Sequence, residues 1–260
     1  MKKIIIILVV LLYPIANFAQ FDDAYSKTQL YDKAVDLHTY VQMVGKNKLY
    51  LINNTQVSLA TKELDYALSK INENINEIDL NEDNASIKSK LKKIKTFWYK
   101  FNEKATKSQN IKEFTSFYYQ INTFDKLVND LVQTMVIAYK IDVEKFDKYI
   151  QLQKFRTLIQ KISLSYFANY LGLSKSYLHQ YKKNIEEIDT FIKEKSNVFL
   201  NDPIAGKYFA NIIVDWNFFR SNLLHKTLQT PKTVYILSTS IDYKLTKIKE
   251  NYIEKLNSTF

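Results

Sequence analysis

The residues best suited to chemistry lie between Gln151 and Leu173, QLQKFRTLIQKISLSYFANYLGL, where Arg156 is one of only two arginines among 37 basic residues. Arginine offers a planar fork of donors that lysine lacks. Lys154 stands two positions before it and Gln160 one helical turn after it, and a second cationic pair, Lys46 and Lys48, stands 108 positions before Lys154 and Arg156. Such an arginine has two readings: it holds a ligand, or its stem covers apolar bundle surface with the charged head in water. Other chemical signals are thin. His38, His179 and His225 are isolated, with no second ligand at the spacing a metal needs. Glu186–Glu187 and Asp22–Asp23 are adjacent pairs, which a helix points to different faces, so neither makes an acid/base dyad. No serine can be given a nearby base, and three glycines in 260 residues leave no phosphate-cradling loop. The sequence predicts no catalytic residue, no metal and no cofactor.

The elements that must position these residues are helical. Three glycines and three prolines supply almost nothing for hairpin turns. Leu30, Ala34, Leu37, Val41 and Val44 recur at helical spacing, and the pattern resumes at Leu64, Leu68, Ile71, Ile75 and Ile78. This predicts one long helix, or two meeting near Gly45, where glycine marks a kink or a close neighbouring backbone. Asp83 or Asn84 can cap a helix over Ile87–Lys104, and Asn110 with Glu113 has capping-box spacing. From Ile111 an apolar stripe runs without a breaker to Leu171, predicting one long central helix. Gly172 fits a stop and Ser174 a new cap, while Asp202-Pro203 and Thr230-Pro231 each place a capping side chain before proline at the first helical position. Three helical segments thus precede residue 142 and three follow it.

At the N-terminus Met1-Lys2-Lys3, the apolar run Ile4–Ile15 and small residues ending at Ala19 have the order of a signal peptide, with a cut after Ala19. The run is shorter than the roughly 20 residues a membrane-spanning helix needs. Export to the periplasm or medium is the expectation, with an uncleaved anchor as the alternative. Cleavage removes two lysines and no acid from a formal charge of +10, leaving +8. With no cysteine, the exported chain must be held by its packed core. Aromatics such as Phe114, Phe117 and Tyr118 sit at core spacing, which argues against a nucleic-acid surface. The lysines between Lys88 and Lys95 read as a solvated helix face, with peripheral attraction to anionic envelope surfaces.

The chain also echoes itself. Asn74–Asp79 recurs as Asn184–Asp189, and Ile94-x-x-x-Trp98-x-x-Phe101 recurs as Ile212-x-x-x-Trp216-x-x-Phe219, matching the only two tryptophans. Asp125-x-Leu127 is weakly echoed by Asp242-x-x-Leu245, and Gly45–Leu49 aligns with Gln153–Thr157. The latter stretch resembles the helical motif AGRQRMLSQRMAK of the N-terminal sensor domain of type IV pili methyl-accepting chemotaxis transducers, related to the periplasmic domain of nitrate and nitrite sensor kinases. Gly45, Lys46, Asn47, Lys48 and Leu49 fall on the first half of the motif; Lys154, Arg156, Leu158, Gln160, Lys161 and Ile162 match it in the second copy. The first copy has Leu51–Asn54 where the second half of the motif would stand, and the second has Gln153 and Phe155 for the glycine and first glutamine. The resemblance implies an all-α protein of two tandem antiparallel four-helix-bundle-like units, residues 20–140 and 141–260, joined by a long shared helix. It further implies a stand-alone sensor of a small anion, held by Arg156 with Lys154, Gln160, Lys46 and Lys48, acting through a separate envelope signalling protein and compatible with a homodimer. The rival expectation is a structural or protein-interaction bundle of the envelope that has lost the pocket.

Overall fold

Apolar spacing of three and four residues becomes eight helices in this computed structural model, and no strand occurs among the described residues. They are α1 (Lys2–Ile52), α2 (Val57–Asn81), α3 (Ala85–Lys107), α4 (Ile111–Tyr139), α5 (Asp147–Tyr170), α6 (Lys175–Leu200), α7 (Ala205–Leu224) and α8 (Thr230–Ser258). The structure describes residues 2–108, 110–173, 175–203, 205–224 and 230–258, with side chains omitted at 2–26, 175–180, 224 and 255–258. The cut after Ala19, the Ser174 cap, the His179 side chain and His225 therefore fall outside what is described. No helix among the described residues is long and apolar enough to cross a membrane.

Caps act where their chemistry predicts. Asn84 Oδ1 accepts from Ser86 N at 3.0 Å and Ile87 N at 3.2 Å. Asn110 Oδ1 accepts from Glu113 N at 3.0 Å, and its side-chain amide, in place of the backbone N–H of a capping box, donates to the Glu113 carboxylate at 2.8 Å. Asp202 Oδ1 accepts from Ala205 N at 3.0 Å.

Two helix ends differ from the expectation. α1 passes straight through Gly45 and ends about two turns later, at Ile52. A methyl group on Gly45 would lie 2.5 Å from Ile121 Cδ1 and 3.1 Å from Leu164 Cδ2, so side chains of α4 and α5 occupy the space and no kink is needed. The predicted helix from Ile111 to Leu171 is two helices. Lys140 adopts a left-handed conformation, φ +53°, with Ile141 N donating to Val136 O at 3.0 Å and Lys140 N to Ile137 O at 3.3 Å. That is the Schellman arrangement usually built on glycine. With lysine in the glycine position the stop left no mark in the composition. The break reverses the chain, so that α4 runs antiparallel to α1 and α5 parallel to it; the long helix shared by the two halves is α1, which packs against α2 and α4 on one side and α5 on the other.

The halves, four helices each rather than three, repeat one plan. α1 and α5 end, and α2 and α6 begin, 118 positions apart; α4 and α8 begin 119 apart. Asn54 and Gly172, again 118 apart, both take left-handed φ, +52° and +73°, and end α1 and α5 with the same pair of bonds. Trp98 Nε1 donates to Asn72 of α2 at 3.2 Å, and Trp216 Nε1 to Asp189 of α6 at 2.9 Å. α1 and α5 lie side by side in this register: the hydroxyls of Thr39 and Thr157 are 3.0 Å apart, the Tyr31 and Tyr149 rings 6.2 Å, and Tyr50 stacks on Phe167 at 4.0 Å. Gly45 therefore corresponds to Ser163, and the alignment at 108 that matched Lys48 to Arg156 is replaced by one at 118 that matches His38 to Arg156.

Candidate functional site

Arg156 points inward. It is 2% exposed, which overturns the reading of a solvent-covering arginine. The parallel contact of α1 with α5 leaves a seam that α8 closes, and polar residues at helical spacing fill it: Asp32 and Asp36 on α1, Tyr149, Gln153 and Arg156 on α5, Asp242 and Lys249 on α8. Arg156 donates to Asp36 Oδ1 at 2.6 Å, to Asp242 Oδ1 at 3.0 Å and to Gln153 Oε1 at 2.8 Å. Lys249 bridges Asp32 at 3.0 Å and Asp36 at 2.9 Å. Tyr149 donates to Asp32 at 2.7 Å, and the Gln153 amide reaches Asp36 at 2.8 Å.

Three carboxylates thus surround two cations. Burial opposes ionisation of Asp36, yet the charges of Lys249 and Arg156 outweigh it and hold this carboxyl well below the usual range. At Asp32 burial, reinforced by Asp36, prevails over Lys249, and at Asp242 burial prevails over Arg156 and Lys46; both are pushed up. Burial works against the charge of Lys249, but Asp36 and Asp32 raise it. The cluster leaves no excess positive charge for an external anion.

One turn and more along the seam sits Lys46, fully buried. It pairs with Glu63 of α2 at 2.9 Å, approaches Thr239 Oγ1 at 3.5 Å and lies over the Tyr235 ring at 4.5 Å. Burial disfavours the Glu63 charge, but Lys46 outweighs it and lowers the carboxyl. The charges of both Arg156 and Lys46 favour the ionised form of Asp242, though only Arg156 is bonded to it. Gln160, one turn beyond Arg156, is also buried, and neither its amide nitrogen nor its oxygen has a partner. Its counterpart on α1, Gln42, has an unpartnered amide nitrogen as well.

The other two expected residues are elsewhere. Lys48 turns to the first bundle and donates to Thr106 O at 3.3 Å; burial lowers its pKa. Lys154 is on the outer face of α5, paired with Glu187 across a groove of about 540 Å³ floored by Phe155, Leu158, Ile188 and Phe191. The structure therefore brings Arg156, Lys46 and Gln160 to one seam and separates Lys48 and Lys154 from it.

The first half carries a paler version of the Arg156–Asp242 pair at the positions related by the repeat: His38 Nδ1 donates to Asp125 Oδ1 at 2.7 Å, and Lys161 of α5 donates to Asp125 Oδ2 at 3.0 Å. Burial works against the Asp125 charge, but the His38 bond and Lys161 outweigh it and hold the carboxyl at about 2. The sequence reading missed Asp32, Asp36, Glu63 and Lys249. The signal was there, since Asp32 and Asp36 interrupt the face carrying Tyr31, Ala34 and Leu37 at a spacing of four. Among the described residues no group of three potential ligands could hold a metal ion. No family model, curated protein or solved structure matches this chain.

Proposed function

We propose that the protein is a non-catalytic structural or protein-interaction helical bundle of the cell envelope, exported by removal of Met1–Ala19, that keeps the bundle of the transducer sensor domains it resembles without their anion pocket. The observation that carries this reading is the internal engagement of Arg156, whose Nε is bonded to Asp242 and whose Nη1 is bonded to Asp36 and Gln153. An anion that took the place of those carboxylates would leave them buried and unpaired, which costs several kcal/mol. The parallel α1–α5 seam supports it further, because a single chain already supplies the side-by-side pairing that a homodimer of one unit would provide. Nitrate and nitrite titrated against the purified mature protein test the reading: it expects no calorimetric heat and no thermal shift at millimolar anion. A saturable heat that disappears in Arg156→Met would return the protein to the anion sensors. Mass spectrometry of the exported chain tests the localisation, which a retained Met1 would overturn.

A further inference from the structure

Large apolar side chains stand in solvent on the last two helices of the second half. On α7 Val214 and Phe218 are 67% and 57% exposed; on α8 Ile236 and Tyr243 are 47% and 60% exposed. Asp215 of α7 accepts from Ser240 Oγ at 2.9 Å and from Lys244 Nζ at 2.5 Å, which fixes the register of the helix pair. That register sets Val214 and Phe218 alongside Ile236 and Tyr243 across one outer furrow. In the first half the repeat puts Thr96, Lys100, Tyr119 and Lys126 at the same four places, all exposed. Three of those four places are polar and one, Tyr119, is aromatic, so the bundle plan does not require an apolar cluster here. Exposed apolar residues grouped in this way mark an interaction site more often than chance scatter does.

The occupant is indicated by charge. Lys207 near the start of α7 and Lys232 near the start of α8 are exposed and lie at opposite ends of the furrow, since the two helices run antiparallel. Asp215, which joins the two helices, is already neutralised by Lys244, and Glu250, two turns beyond Tyr243 on α8, is paired with Lys247. A second copy docked on the same face would set these lysines against their own equivalents. An anionic lipid surface meets them favourably, and accepts apolar side chains at its headgroup boundary. We propose that the α7–α8 face is a peripheral membrane-binding surface for anionic phospholipid, with Phe218 and Tyr243 at its centre. The lysine-rich face of α3 suits this role less well, because Lys88, Lys90 and Lys95 are paired with Asp83, Asp130 and Asp79. The inference is independent of whether the seam binds a ligand.

The test is flotation of the mature protein with phosphatidylcholine vesicles, with and without phosphatidylglycerol. Binding is expected only with phosphatidylglycerol, reduced at least tenfold in Phe218→Asp, reduced severalfold in the pair Lys207→Glu and Lys232→Glu, and unchanged in Tyr119→Asp at the repeat-related position. Phe218 and Tyr119 are exposed, so helicity by circular dichroism should be retained in both variants and is measured alongside. Equal binding by Phe218→Asp and wild type, or none by either, overturns the proposal. So does self-association of the wild type that Phe218→Asp abolishes without any vesicle binding, which would make the face a contact between copies.

Discussion

Replacing Arg156 with methionine tests the seam directly. The change keeps much of the side-chain volume and removes the charge that sits 3.0 Å from Asp242 and 2.6 Å from Asp36. Asp36 retains Lys249 at 2.9 Å, so the loss falls mainly on Asp242. Removing one member of a buried ion pair typically costs 3–5 kcal/mol, because its partner is left charged and unpaired. In a chain of this size that corresponds to a fall in melting temperature of roughly 6–20 °C. The pH dependence carries the sharper check. In the wild type Asp36 is depressed, so its contribution is present above the ordinary carboxylate pKa of about 3.9 and is lost as pH falls through the folded value. Asp242 is raised, so ionising it in the folded state subtracts stability as pH rises above that same point. Without Arg156 the first effect shrinks and the second grows. Urea denaturation should therefore give the largest gap between variant and wild type near pH 7 and a smaller one below pH 4, where Asp242 is protonated and only Asp36, held well below the usual range, is still ionised. Adding Asp242→Leu should recover at least half of the loss, since the orphaned charge is then gone. Arg156→Lys should fall between, because one ammonium cannot reach two carboxylates that the guanidinium meets through separate nitrogens. A gap under about 1 kcal/mol at pH 7, or one that does not change with pH, would refute the assignment of Arg156 as the seam's central charge.

Three further substitutions test other parts of the molecule. Asp125→Asn should cost about 2 kcal/mol at pH 7, the equivalent of holding this carboxyl at about 2 in the folded protein; the contribution is present above about pH 4 and is lost as pH falls toward 2, so melting temperatures of variant and wild type should converge in acid. Gln160→Leu should raise stability by about 1–3 kcal/mol in chemical denaturation, because it removes two buried polar atoms that have no partner. Lys140→Gly should raise it by about 1 kcal/mol by relieving the left-handed conformation at the end of α4, whereas the same substitution at exposed Lys126, inside that helix, should lower it by a similar amount.

How much of this was legible follows from what each residue type reveals alone. Helical spacing is a local property, so the all-α class and most caps could be read from Asn84, Asn110 and Asp202. The stop at Lys140 could not, because lysine adopts the left-handed conformation only at a cost that the surrounding fold must meet, and nothing in its chemistry announces it. Burial of Arg156 was likewise hidden. A charge enters a core only when partners arrive from elsewhere, and its partners Asp36 and Asp242 lie 120 and 86 residues away.

The repeat register shows where matching by residue type misleads. Aligning Lys46 and Lys48 with Lys154 and Arg156 rewards shared charge, yet those lysines occupy different surroundings: Lys46 in the seam with Glu63, Lys48 against Thr106, Lys154 in solvent. Backbone punctuation is the safer guide, because a helix must end where its partner helix ends. Asn54 and Gly172 share a left-handed conformation and the same closing bonds, though the residues differ. Once those ends are set 118 apart, His38 falls on Arg156 and Gln42 on Gln160, and their neighbours Asp125 and Asp242 stand 117 apart. The repeat then explains the asymmetry of the seam. On α8 Lys249 stands where α4 has Val132, and α1 supplies Asp32 and Asp36 where α5 has Ile150 and Lys154. One half thus contributes the extra acids and the other the extra cation, a complementarity that two identical copies could not offer each other and that ties both halves into one chain.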